Sequence, residues 1–240
     1  MKMVNLATSF RFIGHGVYSV AEAGRLTGVS VENLRRWARG YHYTYRGRER
    51  YSPPIIGTGL EQREPEPILE FRDIIEVRFL RAFRKFGVSW SVIRRVAARV
   101  RDALQRTHPF ATRLFRTDGR TILLELISED ETDHRLVDLL HDQYEWDRVV
   151  AAYLVQEKVE FSEAEDPVRW WPLGGTRQVV VDPTRAFGAP IVALEGVQTY
   201  LLAKAVGVEA NVDFVARWYD VTPHAVRDAI DFENGLRAAA

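Results

Sequence analysis

The sequence predicts a mainly α-helical, modular protein: an N-terminal helix-turn-helix with a strand wing, a small mixed α/β middle segment, and a C-terminal three-helix domain with short strands. Three observations lead there. Two short helical patterns near the N-terminus carry their own capping residues and are separated by three residues. Apolar positions recur at helical spacing through most of the remaining chain. The charges, although they cancel overall, segregate: residues 1–120 hold 23 Lys and Arg against 11 Asp and Glu, and residues 121–240 hold 10 against 22. The expected division is 1–107, 108–165 and 166–240, as a chain of 240 residues accommodates two or three small domains.

The elements follow in order. Residues 1–16 form a short lead. Tyr18 to Leu26 reads as a helix, with Ser19 as N-cap and Glu22 completing a capping box. Gly28, in the break Thr27-Gly28-Val29, suits a left-handed C-terminal position. Ser30 caps a second helix, Val31 to Arg39, which ends before Gly40. Tyr41 to Tyr51 alternates aromatic and basic residues around Gly47 and predicts a hairpin. Ser52 to Pro67, with four prolines, predicts a loop. Ile68 to Arg84 and Ser89 to Leu104 predict two amphipathic helices separated at Gly87, the second ended by His108-Pro109 and carrying Arg94, Arg95, Arg99, Arg101 and Arg106 on one face. The middle predicts a hairpin around Asp118-Gly119 and helices near 132–142 and 145–157. Glu163 to Gly175 reads as a linker containing Trp170-Trp171-Pro172. Short strands at 178–181 and 190–193 precede helices around 198–206, 211–218 and 222–236.

The first helix pair carries the sharpest functional signal. Its dimensions are those of a helix-turn-helix, whose second helix lies in the major groove with its N-terminal residues at base edges. Asn33 and Arg36 can pair bidentately with purines, and Val31 can meet a thymine methyl. Leu26, Val29, Leu34 and Trp37 form the packed side. Ser30, Arg35 and Arg39 belong to the DNA-facing set, the two arginines as phosphate contacts. Arg46, Arg48 and Arg50 on the hairpin complete a winged helix-turn-helix by lying along the backbone. The competing reading is an ordinary helical corner with solvated arginines; the basic surplus of this half favours DNA.

Val17-Tyr18-Ser19-Val20-Ala21-Glu22-Ala23-Gly24-Arg25-Leu26-Thr27-Gly28-Val29-Ser30, followed by Leu34-Arg35-Arg36-Trp37, resembles the start of a MerR-type winged helix-turn-helix. Leu69-Glu70-Phe71-Arg72-Asp73, Phe86-Gly87-Val88-Ser89 and Ile93 resemble that family's second helical pair. The likeness covers residues 17–106, with a longer proline-rich insertion after the wing and a shorter dimerising helix. The metal-sensing members' cysteines are absent, since the chain has none. Val179-Val180-Val181-Asp182-Pro183, Phe187-Gly188-Ala189-Pro190-Ile191-Val192, Thr199 and Val215-Ala216 through Val221-Thr222-Pro223-His224-Ala225-Val226-Arg227-Asp228-Ala229-Ile230 resemble a short domain-of-unknown-function family of antitoxins, which joins a MerR-like N-terminus in one VapB-type branch. The resemblance implies an antitoxin that pairs with a PIN-domain ribonuclease toxin and represses their shared operon. A homodimer on a palindromic operator follows from matching two-fold symmetry.

The other constellations are weaker. The last predicted helix carries Asp228, Asp231 and Glu233 beside Arg227 and Arg237, which suits protein contact or dimerisation better than phosphate. Trp170-Trp171 reads either as a partner-binding anchor or as packing into the chain's own core. The acids from Glu157 to Asp166 form a solvated run or meet a basic partner. His134, Asp138 and His141 share a helical face, with solvation favoured over a metal. No catalytic arrangement stands out and Gly174-Gly175 lacks a phosphate-loop context, so no enzyme, cofactor or metal is expected. No apolar run reaches the ~18–20 residues that span a bilayer, and no secretion signal is read at Met1 to Phe10, so the expected location is the cytoplasm. Two rivals stand: a MerR-like one-component transcriptional regulator with a ligand-binding C-terminal half, and a protein scaffold without a DNA role.

Overall fold

In the computed structural model, which describes residues 14–57, 66–85, 87–115 and 158–239, a short strand β1 (Val17–Ser19) leads into helix α1 (Val20–Thr27). Ser19 Oγ accepts from the Glu22 amide at 3.2 Å, and Glu22 Oε2 accepts from the Ser19 amide at 2.8 Å. This reciprocal box satisfies donors that the first helical turn leaves open. Gly28 ends the helix at φ 63°, and a Cβ there would strike the guanidinium of Arg81, which donates to Thr27 O at 2.7 Å. A cation at a helix C-terminus is also favoured by the helix dipole. Helix α2 (Val31–Arg39) starts from Ser30, whose Oγ accepts from the Asn33 amide at 3.3 Å.

Strands β2 (Tyr41–Tyr45) and β3 (Arg48–Ser52) pair antiparallel, with Arg46 and Gly47 both at positive φ (50° and 73°). Two left-handed residues match the twist of a tight hairpin. The chain after the wing begins as a buried strap: Ile55 and Ile56 are both in the core, and their amides donate to Trp37 O at 2.8 and 3.1 Å. One of the carbonyls that the end of α2 leaves open is thereby satisfied.

Strand β4 (Ile68–Glu70) pairs antiparallel with β1 and precedes helix α3 (Phe71–Lys85). The predicted single helix from Ile68 therefore starts three residues later, because pairing with β1 claims 68–70 and Asp73 Oδ2 accepts from the Glu70 amide at 2.9 Å. Helix α4 (Trp90–Leu104) ends before the predicted His108-Pro109, with Gln105 left-handed at φ 51°; a 3-10 turn, Pro109–Ala111, follows. Two arginines of α4, and Arg106 just beyond it, turn back onto loop carbonyls. Arg94 donates to Pro53 O, Arg101 to Ile55 O at 2.5 Å, and Arg106 to Ala164 O at 3.1 Å.

The later part is a four-stranded antiparallel meander, β5 (Lys158–Phe161), β6 (Pro167–Trp171), β7 (Val179–Val181) and β8 (Pro190–Val192). Three helices follow at about the predicted positions, α5 (Thr199–Glu209), α6 (Val212–Trp218) and α7 (Pro223–Ala239). The predicted linker at 163–175 is corrected: it contains β6, which pairs with β5 across position 165. The expected hairpin at Asp118-Gly119, the helices at 132–142 and 145–157, and His134, Asp138 and His141 lie outside the described residues. Among the described residues no helix is long and apolar enough to cross a membrane.

One core joins both ends of the chain, from Tyr18, Leu34 and Phe79 to Trp170, Val179 and Phe232; a smaller cluster around Leu202, Val215 and Val226 holds the last three helices together. Polar contacts fasten the seam. The buried Tyr18 hydroxyl donates to Gly188 O at 2.8 Å, and Arg25 bonds Glu233 at 2.9 Å. Burial pushes the Tyr18 phenol well above its ordinary range, ahead of the influence of Glu22 and Asp182, so it stays a donor. Tyr18→Phe strands the Gly188 carbonyl and is expected to cost about 1–3 kcal/mol. Urea denaturation measures this; an unchanged midpoint would show that the bond contributes nothing.

Candidate nucleic-acid interface

Helix α2 has two faces because its residues alternate in kind at helical spacing. Leu34, Trp37 and Ala38 are buried, with Trp37 meeting Trp90 edge-on at 4.6 Å between centroids. Glu32, Asn33, Arg35, Arg36 and Arg39 are exposed. Asn33 and Arg36 stand one turn apart on the same outward surface. Ser30 sits at the N-cap. Val31 is only half-exposed and packs against the core, so of the sequence-predicted set it is the least presented.

The wing is tied at its base by the Tyr51 hydroxyl, which donates to Arg39 O at 3.1 Å. Arg46, Arg48 and Arg50 are exposed, as are Tyr43, Tyr45 and Tyr51. The arginine–tyrosine alternation has a packing consequence: Arg36 lies 5.3 Å from the Tyr41 ring centroid, and Arg46 and Arg50 lie 5.3 and 6.0 Å from that of Tyr45. Stacking on an aromatic face holds a guanidinium in a preferred plane while its edges stay available for hydrogen bonds. Gly40 at φ 74° makes the tight junction between α2 and the wing, since a Cβ there would meet Ser52 O at 2.5 Å.

Two acids pair with the arginines of α2. Glu32 Oε1 accepts from Arg36 at 2.5 Å, and Glu66 Oε2 accepts from Arg35 at 2.8 Å. The Arg35 hydrogen bond holds the Glu66 carboxyl below its ordinary range, against the opposing effect of burial. All four side chains are largely exposed, so salt screens both pairs and a phosphate can replace either carboxylate. Neither acid was singled out in the sequence; Glu66 is 31 positions from Arg35. Glu66→Gln is expected to tighten duplex binding severalfold at low salt, because a phosphate then displaces no anion. Fluorescence anisotropy against one duplex checks it, and equal affinity of the two proteins would exclude competition at Arg35.

Trp170 is corrected as a partner-binding residue. The alternation of β6 turns it inward, where it is 1% exposed with Arg78 stacked 4.2 Å from its ring centroid. Trp171 is half-buried, its indole donating to Glu160 at 3.1 Å. Large apolar side chains are instead exposed farther along: Phe187 at 77%, Leu194 at 84% and Trp218 at 73%. Phe187 is presented by a turn in which Ala186, Phe187 and Gly188 all have positive φ, a conformation of the backbone that residue types alone do not reveal.

A packed helix pair with a cationic outward helix and a basic strand wing defines a helix-turn-helix protein, and residues 16–97 match the family model described as "Putative DNA-binding HTH domain". Over 233 residues, 90% of this chain and 92% of the relative, it is 30% identical to "Putative antitoxin VapB45" of Mycobacterium tuberculosis (strain ATCC 25618 / H37Rv). The chain belongs to the family of that protein. Its fold is similar to the X-ray crystal structure of Rv2018 from Mycobacterium tuberculosis, with TM-score 0.69 and 26% identity over 89% of this chain and 96% of that one.

Proposed function

We propose that this chain is the antitoxin of a VapBC-type toxin–antitoxin pair, a cytoplasmic protein that inhibits a PIN-domain ribonuclease toxin and represses its own operon as a homodimer on operator DNA. The observation that carries the DNA role is the outward face of α2 beside the basic wing. In this reading Asn33 and Arg36 read base edges. Ser30, Arg35, Arg39, Arg46, Arg48 and Arg50 hold the backbone, and Val31 adds at most a marginal methyl contact. The arrangement of helix pair, wing and second helix pair (α3 and α4) is MerR-like. The antitoxin role is supported by likeness to VapB45 over nearly the whole chain. Phe187, Leu194 and Trp218, exposed on the acidic half, offer the toxin apolar anchors of the kind that dominate protein interfaces.

Two measurements test this. Expression of the neighbouring nuclease gene alone should arrest growth, and co-expression of this chain should restore it; failure of rescue removes the antitoxin role. The chain should shift a duplex from its own upstream region in a salt-dependent manner, and absence of a shift removes the repressor role.

A one-component regulator is the second reading, favoured by a cavity of about 320 Å³ between α1 and the C-terminal part, lined by Tyr18, Arg25, Phe187, Thr199 and Glu233 among others. That volume is at the lower end for small-molecule sites. Operator release by a metabolite, without any toxin, would favour it.

A further inference from the structure

Behind the helix pair lies a group of ionisable side chains that DNA or toxin binding does not use. Glu70, Asp73, Glu76 and His108 are all buried. His108 Nε2 is 2.9 Å from Asp73 Oδ1 and 3.6 Å from Glu70 Oε1. One ligand atom from each of these three residues lies within 4.8 Å of the others. Their remaining polar atoms are engaged so that the three point together. Asp73 Oδ2 holds the Glu70 amide at 2.9 Å, His108 Nδ1 lies 3.0 Å from Thr107 Oγ1, and His15 approaches Glu70 Oε2 at 3.5 Å. Among the described residues Glu70 Oε1 has no hydrogen-bond partner, although Arg72 Nε stands 3.4 Å from it as an ion pair. Among the described residues neither oxygen of the buried Glu76 has a well-formed hydrogen bond, the Phe110 backbone being the donor group that acts on it.

We propose that Glu70 Oε1, Asp73 Oδ1 and His108 Nε2 bind one divalent transition-metal cation of the Zn²⁺ or Mn²⁺ kind, with Glu76 the carboxylate beside them. Buried carboxylate oxygens without donors are rare in folded proteins unless a cation compensates them. Ligands about 2.1 Å from a common cation stand roughly 3–3.5 Å apart, close to the two separations seen. A cation would take the place of the 2.9 Å hydrogen bond between His108 Nε2 and Asp73 Oδ1, with Nδ1–H then donating to Thr107 Oγ1 at 3.0 Å; an imidazole oriented through its other nitrogen in this way is usual in metal sites. One imidazole among carboxylates suits Zn²⁺ or Mn²⁺ better than Ca²⁺ or Mg²⁺, which favour oxygen alone. Glu70 and Asp73 bracket the start of α3 and His108 follows α4, so the ion would tie the two helices' connections together behind the DNA-facing pair.

The alternative occupant is a second proton on His108, and the test separates them. Tag-free full-length protein is stripped with chelator and titrated with Zn²⁺ or Mn²⁺ by calorimetry and thermal melting. One equivalent per chain and a Tm raised by several degrees are expected, with affinity lowered at least about tenfold in both His108→Gln and Asp73→Asn. No uptake by the wild type, or unchanged uptake in both variants, overturns the site. Should the variants not fold, long-range proton–nitrogen spectra of the wild type decide: a Zn²⁺-dependent shift of His108 Nε2 supports the site, and an imidazolium indifferent to Zn²⁺ overturns it.

Discussion

Arg36→Ala is expected to lower affinity for the operator by about 5- to 150-fold, the equivalent of the ~1–3 kcal/mol carried by one good bidentate base contact. The guanidinium lies one turn from Asn33, is stacked by Tyr41 and, among the described residues, has the exposed Glu32 as its acid partner, so its loss is expected to leave the fold intact. Arg35→Ala differs in kind. A phosphate contact carries no sequence information, so its loss weakens all duplexes alike and lowers the slope of log affinity against log salt by about 1. Titration of operator and scrambled duplexes at several salt concentrations distinguishes the two. If Arg36→Ala weakens both duplexes equally, Arg36 holds backbone and the base-reading role passes to Asn33. If neither variant changes anything, this face of α2 does not meet DNA.

Trp170→Ala is expected to destabilise the chain by about 3–5 kcal/mol, the range for truncating a buried large aromatic. Trp170 is in the core shared by the two ends of the chain, under the Arg78 guanidinium. Its loss leaves a cavity beneath Arg78 of α3, between Val159 of β5 and Val181 of β7. The denaturation midpoint should fall by a large fraction of the total stability, since folded domains exceed unfolding by only ~5–15 kcal/mol. An unchanged midpoint accompanied by loss of partner binding would return Trp170 to the role of an interface anchor.

The local features of the N-terminal part were legible because short-range chemistry specifies them. Ser19 with Glu22, Gly28, Ser30 and the Arg46-Gly47 turn act within four residues, so the two helices and the wing appear where their residues put them. The exposed arginines of α2 follow from the same periodicity. The boundary of α3 was less readable: Ile68 to Glu70 fits a helical pattern, and only the distant β1 turns those residues into a strand. Trp170 was ambiguous for the same reason, since a short segment bounded by prolines does not disclose whether a sheet will claim it.

Residue order alone was enough for the caps, the turn, the amphipathic faces and the separation of charge, all governed by neighbours along the chain or by one helix's period. Meetings between residues far apart came with folding. Arg35 finds Glu66, Tyr18 finds Gly188 across 170 positions, and Glu70, Asp73 and His108 converge in the interior. The reason is that burial makes unpaired polar groups costly, so long-range partners are selected by the packed arrangement as a whole, and no local pattern records them.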